Sequence, residues 1–171
     1  MILVDASPLI ALAKTGRLAL LRDVYGEIAI GPWVKREVVE RGRRVDAPGV
    51  RQVEAGLRAQ WMRDVQLTAQ ETQLAQQLLQ STRLGEGEAE SIALAHSRLL
   101  PVVLDDKEAR AMAEAMGVQY VGTAGVLLAA FVKGYLTYDE LATAVRDLGM
   151  VLWLAPDLVA EILRRAREFE R

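Results

Sequence analysis

Carboxylates sit at four places in this chain where a reaction could use one. Asp5 closes a short apolar run, Met1 to Val4. Asp105 and Asp106 close another, Pro101 to Leu104. Glu37 and Glu88 lie in helix-forming stretches. The chain has no cysteine and one histidine, His96. Disulfides, thiol chemistry, Cys-ligated zinc or iron–sulfur sites and a His-rich metal site are therefore excluded. A Ser/His/Asp triad would have to use His96 as its base. The surrounding Ala93-Leu-Ala-His96-Ser-Arg98 reads as an ordinary helix, so His96 is read as structural. Carboxylates and hydroxyls remain, and ionised carboxylates suit hard cations with oxygen ligands, Mg²⁺ or Mn²⁺.

Each carboxylate also has a plainer reading. Asp5 could make an Asx turn or cap the next helix. Asp105-x-x-Glu108 is a passable capping box, but a cap needs one Asp and there are two. At roughly 100° per residue, Glu88 lies in line with Ile92, Ala95 and Leu99, whereas Glu86 and Glu90 fall more than about 150° away and should face solvent. A carboxylate aimed along an apolar stripe costs several kcal/mol unless a cation or a helix N-terminus compensates it. Glu37 lies about 60° from Val34 and flanks its buried face, and an ion pair with Arg41 is the competing role. Glu40 reads as solvated.

The elements that must position these groups follow from the pattern. At 171 residues, 51% apolar and 26% charged, the chain has the size and composition of one globular domain. Short apolar runs at 1–4, 27–30, 101–104 and 118–121 alternate with helical stretches. That alternation predicts a parallel sheet covered by helices, with functional groups beyond the carboxyl ends of its strands. Ser7-Pro8 reads as N-cap and N1 of the first helix. Gly31-Pro32 opens a helix to about Arg41, residues 52–83 read as helical throughout, and 149–154 as extended or buried before a last helix from Pro156. The net charge of −2 leaves no strongly basic nucleic-acid footprint, so any phosphate contact must be local. No apolar run approaches the about 20 residues that span a bilayer, and the N-terminus lacks a basic signal-peptide region, so the expected location is cytoplasmic.

Val4-Asp5-Ala6-Ser7-Pro8-Leu9-Ile10 resembles the opening of PIN-domain nucleases. Gly85-Glu-Gly-Glu-Ala-Glu-Ser-Ile-Ala-Leu-Ala95, Val103-Leu-Asp-Asp-Lys-Glu-Ala-Arg110 and Val121-Gly-Thr-Ala-Gly-Val-Leu127 resemble later motifs of that family, in order and at fitting intervals. The Gly-Glu-Ala-Glu form and the Asp-Asp pair are most similar to a prokaryotic, DUF3368-like subfamily of predicted nucleic-acid-binding proteins, often encoded beside small antitoxin-like genes. The resemblance implies a three-layer α/β/α PIN-like fold over residues 1–134. Residues 135–171 would form a C-terminal helical extension packed on the same domain. It implies catalytic roles for Asp5, Glu37, Glu88 and Asp105, and Mg²⁺ or Mn²⁺ held by Asp5, Asp105 and Asp106. Ser7 and Thr123 would support the site by hydrogen bonds. Many members carry Asp where this chain has Glu88, whose longer side chain could act through water.

The expected activity is metal-dependent hydrolysis of RNA phosphodiesters by the toxin of a toxin–antitoxin pair. RNA, a small antitoxin protein and a second copy of the chain are the expected partners. Lys35, Arg36, Arg43, Arg44, Lys107 and Arg110 lie near the motifs and could hold flanking phosphates. Two other classes stay open. A phosphatase-like phosphoesterase would want a second Asp two residues after the first, where this chain has Ser7. A non-catalytic PIN-like module would bind nucleic acid or protein without cutting.

Overall fold

Successive residues of each central strand face opposite ways, and this splits the interior into two apolar layers. Ile2, Val4, Ile28, Ile30 and Val103 point to one side of the sheet, while Leu3, Ala29, Val102 and Leu104 point to the other. The computed structural model describes residues 1–169. Five parallel strands, β1 (Ile2–Val4), β2 (Ile28–Ile30), β3 (Met62–Asp64), β4 (Val102–Val103) and β5 (Tyr120–Val121), run in the order β3-β2-β1-β4-β5. Leu3 pairs with Ala29 on one side and Val102 on the other. Strands buried on both faces read as continuous apolar runs, which is why β1, β2 and β4 are visible in the sequence.

The first layer packs under α1 (Ala6–Lys14), α2 (Ala19–Tyr25), a helix in three parts, α5 (Val50–Arg58) and α9 (Thr123–Val132). The three-part helix is α3 (Pro32–Lys35), a π-helical turn (Arg36–Arg41) and α4 (Gly42–Arg44). The second layer packs under α6 (Ala69–Ser81), α7 (Glu86–Arg98) and α8 (Lys107–Ala115). The whole is a three-layer α/β/α fold. In α10 (Tyr138–Gly149) and α11 (Pro156–Phe169), Leu141, Val145, Leu148, Ile162 and Ala166 join the same apolar cluster as Ile2 and Val4. An ion pair of 2.7 Å between Arg17 and Asp147 ties α10 to the loop after α1. No helix among the described residues is long and apolar enough to cross a membrane.

Three local expectations are corrected. Residues 52–83 are not one helical stretch: Met62–Asp64 form the edge strand β3, of which only Met62 is buried. An edge strand with two solvated residues has no apolar run to betray it. Ser7 is not the N-cap of α1; Asp5 occupies that position and Ser7 is an exposed residue inside the first turn. Of residues 149–154, Gly149 still belongs to α10, and the rest are buried only in part: Leu152 and Leu154 pack against the first layer, while Met150 and Trp153 are each 83% exposed.

Candidate active site at the carboxyl edge of the sheet

β1 has β2 on one side and β4 on the other, so the chain leaves its two strand ends in opposite directions. Such a switch point opens a crevice beyond the strand ends. Asp5 follows β1 there, and its backbone N–H donates to the Val103 carbonyl of β4 at 3.2 Å. The Asp5 side chain is 5% exposed and makes no capping bond to α1. Its one side-chain partner is Ser91, whose hydroxyl donates to Oδ1 at 3.2 Å. Burial pushes the Asp5 carboxyl up to about 6. The Ala6 N–H and Ser91 oppose the rise, and the negative charges of Glu88 and Glu37 add to it.

Glu88 lies in the first turn of α7, half-buried, and its Oε2 accepts from the Gly85 N–H at 2.8 Å. Burial raises its carboxyl above the usual range; that hydrogen bond works against the rise, and the charges of Asp106, Glu108 and Glu37 reinforce it. Glu37 comes from the π-helical turn and is felt by both Asp5 and Glu88. Gly87 lets these parts meet. A Cβ there would sit 3.4 Å from Asp5 Oδ1 and 3.1 Å from Cδ1 of Trp33.

Asp105 is held from the far side of the crevice. Thr123, fully buried at the start of α9, donates its backbone N–H to Oδ1 at 2.8 Å and its hydroxyl to Oδ2 at 2.6 Å. Gly122 keeps this approach open, since a Cβ there would lie 3.5 Å from Asp105 Oδ1 and 3.6 Å from Nη1 of Arg110. The capping duty falls on Asp106, one residue later than the Asp105-x-x-Glu108 pattern suggests: its Oδ1 accepts from the Ala109 N–H at 2.9 Å.

The cations divide. Lys35 pairs with Asp64 at the end of β3, and that hydrogen bond holds the Asp64 carboxyl below its ordinary value. Arg43 pairs with Glu54. Arg36 and Arg41 instead lie over the Trp33 ring, 5.0 Å and 5.2 Å from its centroid. Arg44 and Lys107 are exposed, and Arg110 borders Gly122.

Glu90 departs from the helical-wheel reading. It is half-buried, its Oε2 accepts from the Trp33 N–H at 2.8 Å at the start of α3, and burial raises its carboxyl. The wheel assumed one buried stripe. Helix α7 is wedged between the sheet and neighbouring helices, so Gly87, Ala89 and Ser91 through Ala95 are all buried. Ser91 was legible: it falls about 60° from Glu88 on the same helix face. The Glu90–Trp33 bond, by contrast, joins residues 57 apart and has no local signal.

Asp5, Glu88 and Glu37 thus share one electrostatic neighbourhood, bordered by Asp106 and Glu108, and Asp105 faces the same strand ends. Among the described residues, however, no group of three or more acidic or histidine side chains comes close enough to hold one metal ion. The reason is visible in the hydrogen bonds: Glu88 is turned toward Gly85, and Thr123 holds both oxygens of Asp105. The donor chemistry, all oxygen and mutually repelling, suits a hard cation; the closed coordination shell is not formed.

An all-parallel five-stranded sheet with acidic residues at the switch point defines an α/β protein with a carboxylate site. The family model DUF3368, described as a PIN domain, matches residues 1–168, and the chain belongs to this family. Comparisons with curated proteins and with solved structures returned no match. PIN domains are generally nucleases, bind nucleic acid and typically use divalent metals, so the chain is a nuclease-type module.

Proposed function

We propose that this PIN domain is a metal-dependent endoribonuclease that hydrolyses RNA phosphodiesters. The observation that carries the reading is Asp5, a buried carboxylate with no cation beside it among the described residues, raised to about 6 among Glu88 and Glu37. A carboxylate kept only for structure is paired or fully hydrogen-bonded, because leaving it bare costs stability. Bound Mg²⁺ or Mn²⁺ would supply an activated water and neutralise charge on the scissile phosphate. Asp5 and Asp105 would hold the ion, with the oxygen of Asp106 left outside its capping bond. Glu37 or Glu88 would orient the attacking water, Glu88 by leaving the Gly85 N–H. Thr123 fixes the direction of Asp105, and Ser7 lies one residue into α1 beyond Ala6, available to a substrate oxygen. No nucleophilic side chain is needed. The reading extends to a cytoplasmic toxin that is restrained by a small antitoxin protein and acts as a homodimer.

Purified protein with Mn²⁺ or Mg²⁺ is expected to cut single-stranded or structured RNA, and EDTA to stop it. Mn²⁺ is expected to raise the melting midpoint over EDTA, because a cation that binds only the folded state stabilises it. Equal midpoints and intact RNA would sink the reading. The unformed coordination shell favours one rival, a non-catalytic binding module, which would retain RNA without cutting it. A phosphatase would act on small phosphoesters and spare RNA.

A further inference from the structure

The π-helical turn has a consequence for two cations that an α-helix would not produce. Residues five apart lie about 140° apart around an α-helix, but a π-helix bonds i to i+5 and stacks them on one face. Arg36 and Arg41 are five apart, at the two ends of the π-helical turn, and both guanidinium groups lie over the ring of Trp33. Neither forms an ion pair among the described residues, whereas Lys35 and Arg43 on the same three-part helix are each paired with a carboxylate. Two cations on one ring attract an anion, although the charge of Glu90 already acts on Arg36. The planar donors of Arg match a phosphate.

A groove of about 380 Å³ opens beside Trp33 and Arg36, between α3, α6 and α7. Its volume is in the range of small-ligand pockets. Leu67, Ala75 and Leu79 give it apolar walls, Gln66 and Gln76 bring amides, and Glu86 and Glu90 bring carboxylates. Apolar walls with polar groups of both kinds suit a planar nucleobase, whose faces are apolar and whose edges donate and accept. The groove adjoins the acidic site: a Cβ on Gly87 would touch both Trp33 and Asp5.

We propose that Arg36 and Arg41, aligned on Trp33 by the π-helical turn, bind a backbone phosphate of single-stranded RNA flanking the acidic site, and that the adjoining groove receives the base of that nucleotide. This rests on the nuclease reading for its choice of ligand, but its test is of binding alone. A fluorescently labelled tetraribonucleotide is titrated with the full chain in EDTA, where no cleavage is expected, and anisotropy is read at several salt concentrations. Arg36→Gln with Arg41→Gln should weaken binding and make the slope of log Kd against log salt shallower by about 0.7, the value for one neutralised phosphate on a single strand. Thr72→Trp, at the exposed rim of the groove, should weaken binding about tenfold, in the range of one lost base contact, and leave the salt slope unchanged. Arg167→Gln should change neither, although Arg167 also sits on an aromatic ring, 5.3 Å from the centroid of Tyr138. Melting curves check that each variant is folded. An unchanged salt slope in the double variant overturns the clamp, and unchanged affinity in Thr72→Trp overturns the base groove. If the wild type binds with these effects yet never cuts RNA with metal, the nuclease reading fails and the subsite stands.

Discussion

Asp5 and Glu71 are both nearly closed to solvent, 5% and 3% exposed, but Asp5 lies deeper in the molecule, and the two are driven in opposite directions. Glu71 sits in the first turn of α6. Its carboxylate accepts from the Thr68 N–H at 2.7 Å and from Arg98 at 2.7 Å and 3.0 Å. The Arg98 hydrogen bonds, more than any other cause, hold it at about 2. Asp5 has one hydroxyl partner, two carboxylate neighbours and no cation among the described residues, and burial above all holds it at about 6. A fold that satisfies one buried carboxylate this fully could satisfy the other. The contrast separates an acid paired with a cation, which holds the structure together, from one hydrogen-bonded but left without a countercharge, the setting that the proposed metal would complete.

The sharpest way to break this comparison is Asp5→Asn. RNA cleavage should fall by at least about a hundredfold, because the shape stays and the charge is lost. Stability should move the other way. The folded value of about 6 lies above the ordinary 3.8, so the folded state binds the proton more tightly than the unfolded chain. Metal-free wild type should therefore lose stability as pH rises from about 3.8 to about 6, by on the order of 3 kcal/mol. Asp5→Asn should melt higher at pH 7 and lack that loss. A variant that melts lower at pH 7 would show Asp5 to be structural.

Glu71→Gln should do the reverse, costing about 1–3 kcal/mol while leaving cleavage per folded molecule unchanged. Its pH window also differs. A lowered folded value means that the Glu71 contribution is complete above about 4.5 and fades as pH falls toward about 2. Acid melting curves of wild type and Glu71→Gln should converge across that range. A constant gap would mean that the ion pair does not set the stability difference.

Thr123→Val probes the far wall of the crevice. It removes the 2.6 Å hydroxyl bond to Asp105 and keeps the backbone one. A stability loss of about 0.5–1.5 kcal/mol is expected, with reduced cleavage as Asp105 loses its orientation. Unchanged kcat at unchanged KM would remove the positioning role. The smallest effect belongs to Glu40→Gln. Glu40 is exposed, so the melting shift should correspond to less than about 0.5 kcal/mol and cleavage should not change.

Much of this is legible in the amino-acid order alone. Strands β1, β2 and β4 are buried on both faces, so their apolar runs stand out, and Asp5, Asp105 and Thr123 follow strand or turn signals that mark the carboxyl edge. Periodicity also placed Glu37 and Glu88 toward the interior, and Glu40 and Glu86 are exposed as read. The rest needed the packed molecule. β3 is an edge strand with one buried residue, so it carries no pattern of its own. Glu90 is bound by a backbone N–H 57 residues away. The π-helical turn changes which residues share a face, and no local rule at 100° per residue foresees it. The residue order is enough to locate the carboxylates and to orient Asp5, Glu37 and Glu88, though not Glu90, because strand and helix periods are local. Which of them gained a countercharge and which did not was settled by packing, because ion-pair partners and burial come from segments far apart in the chain.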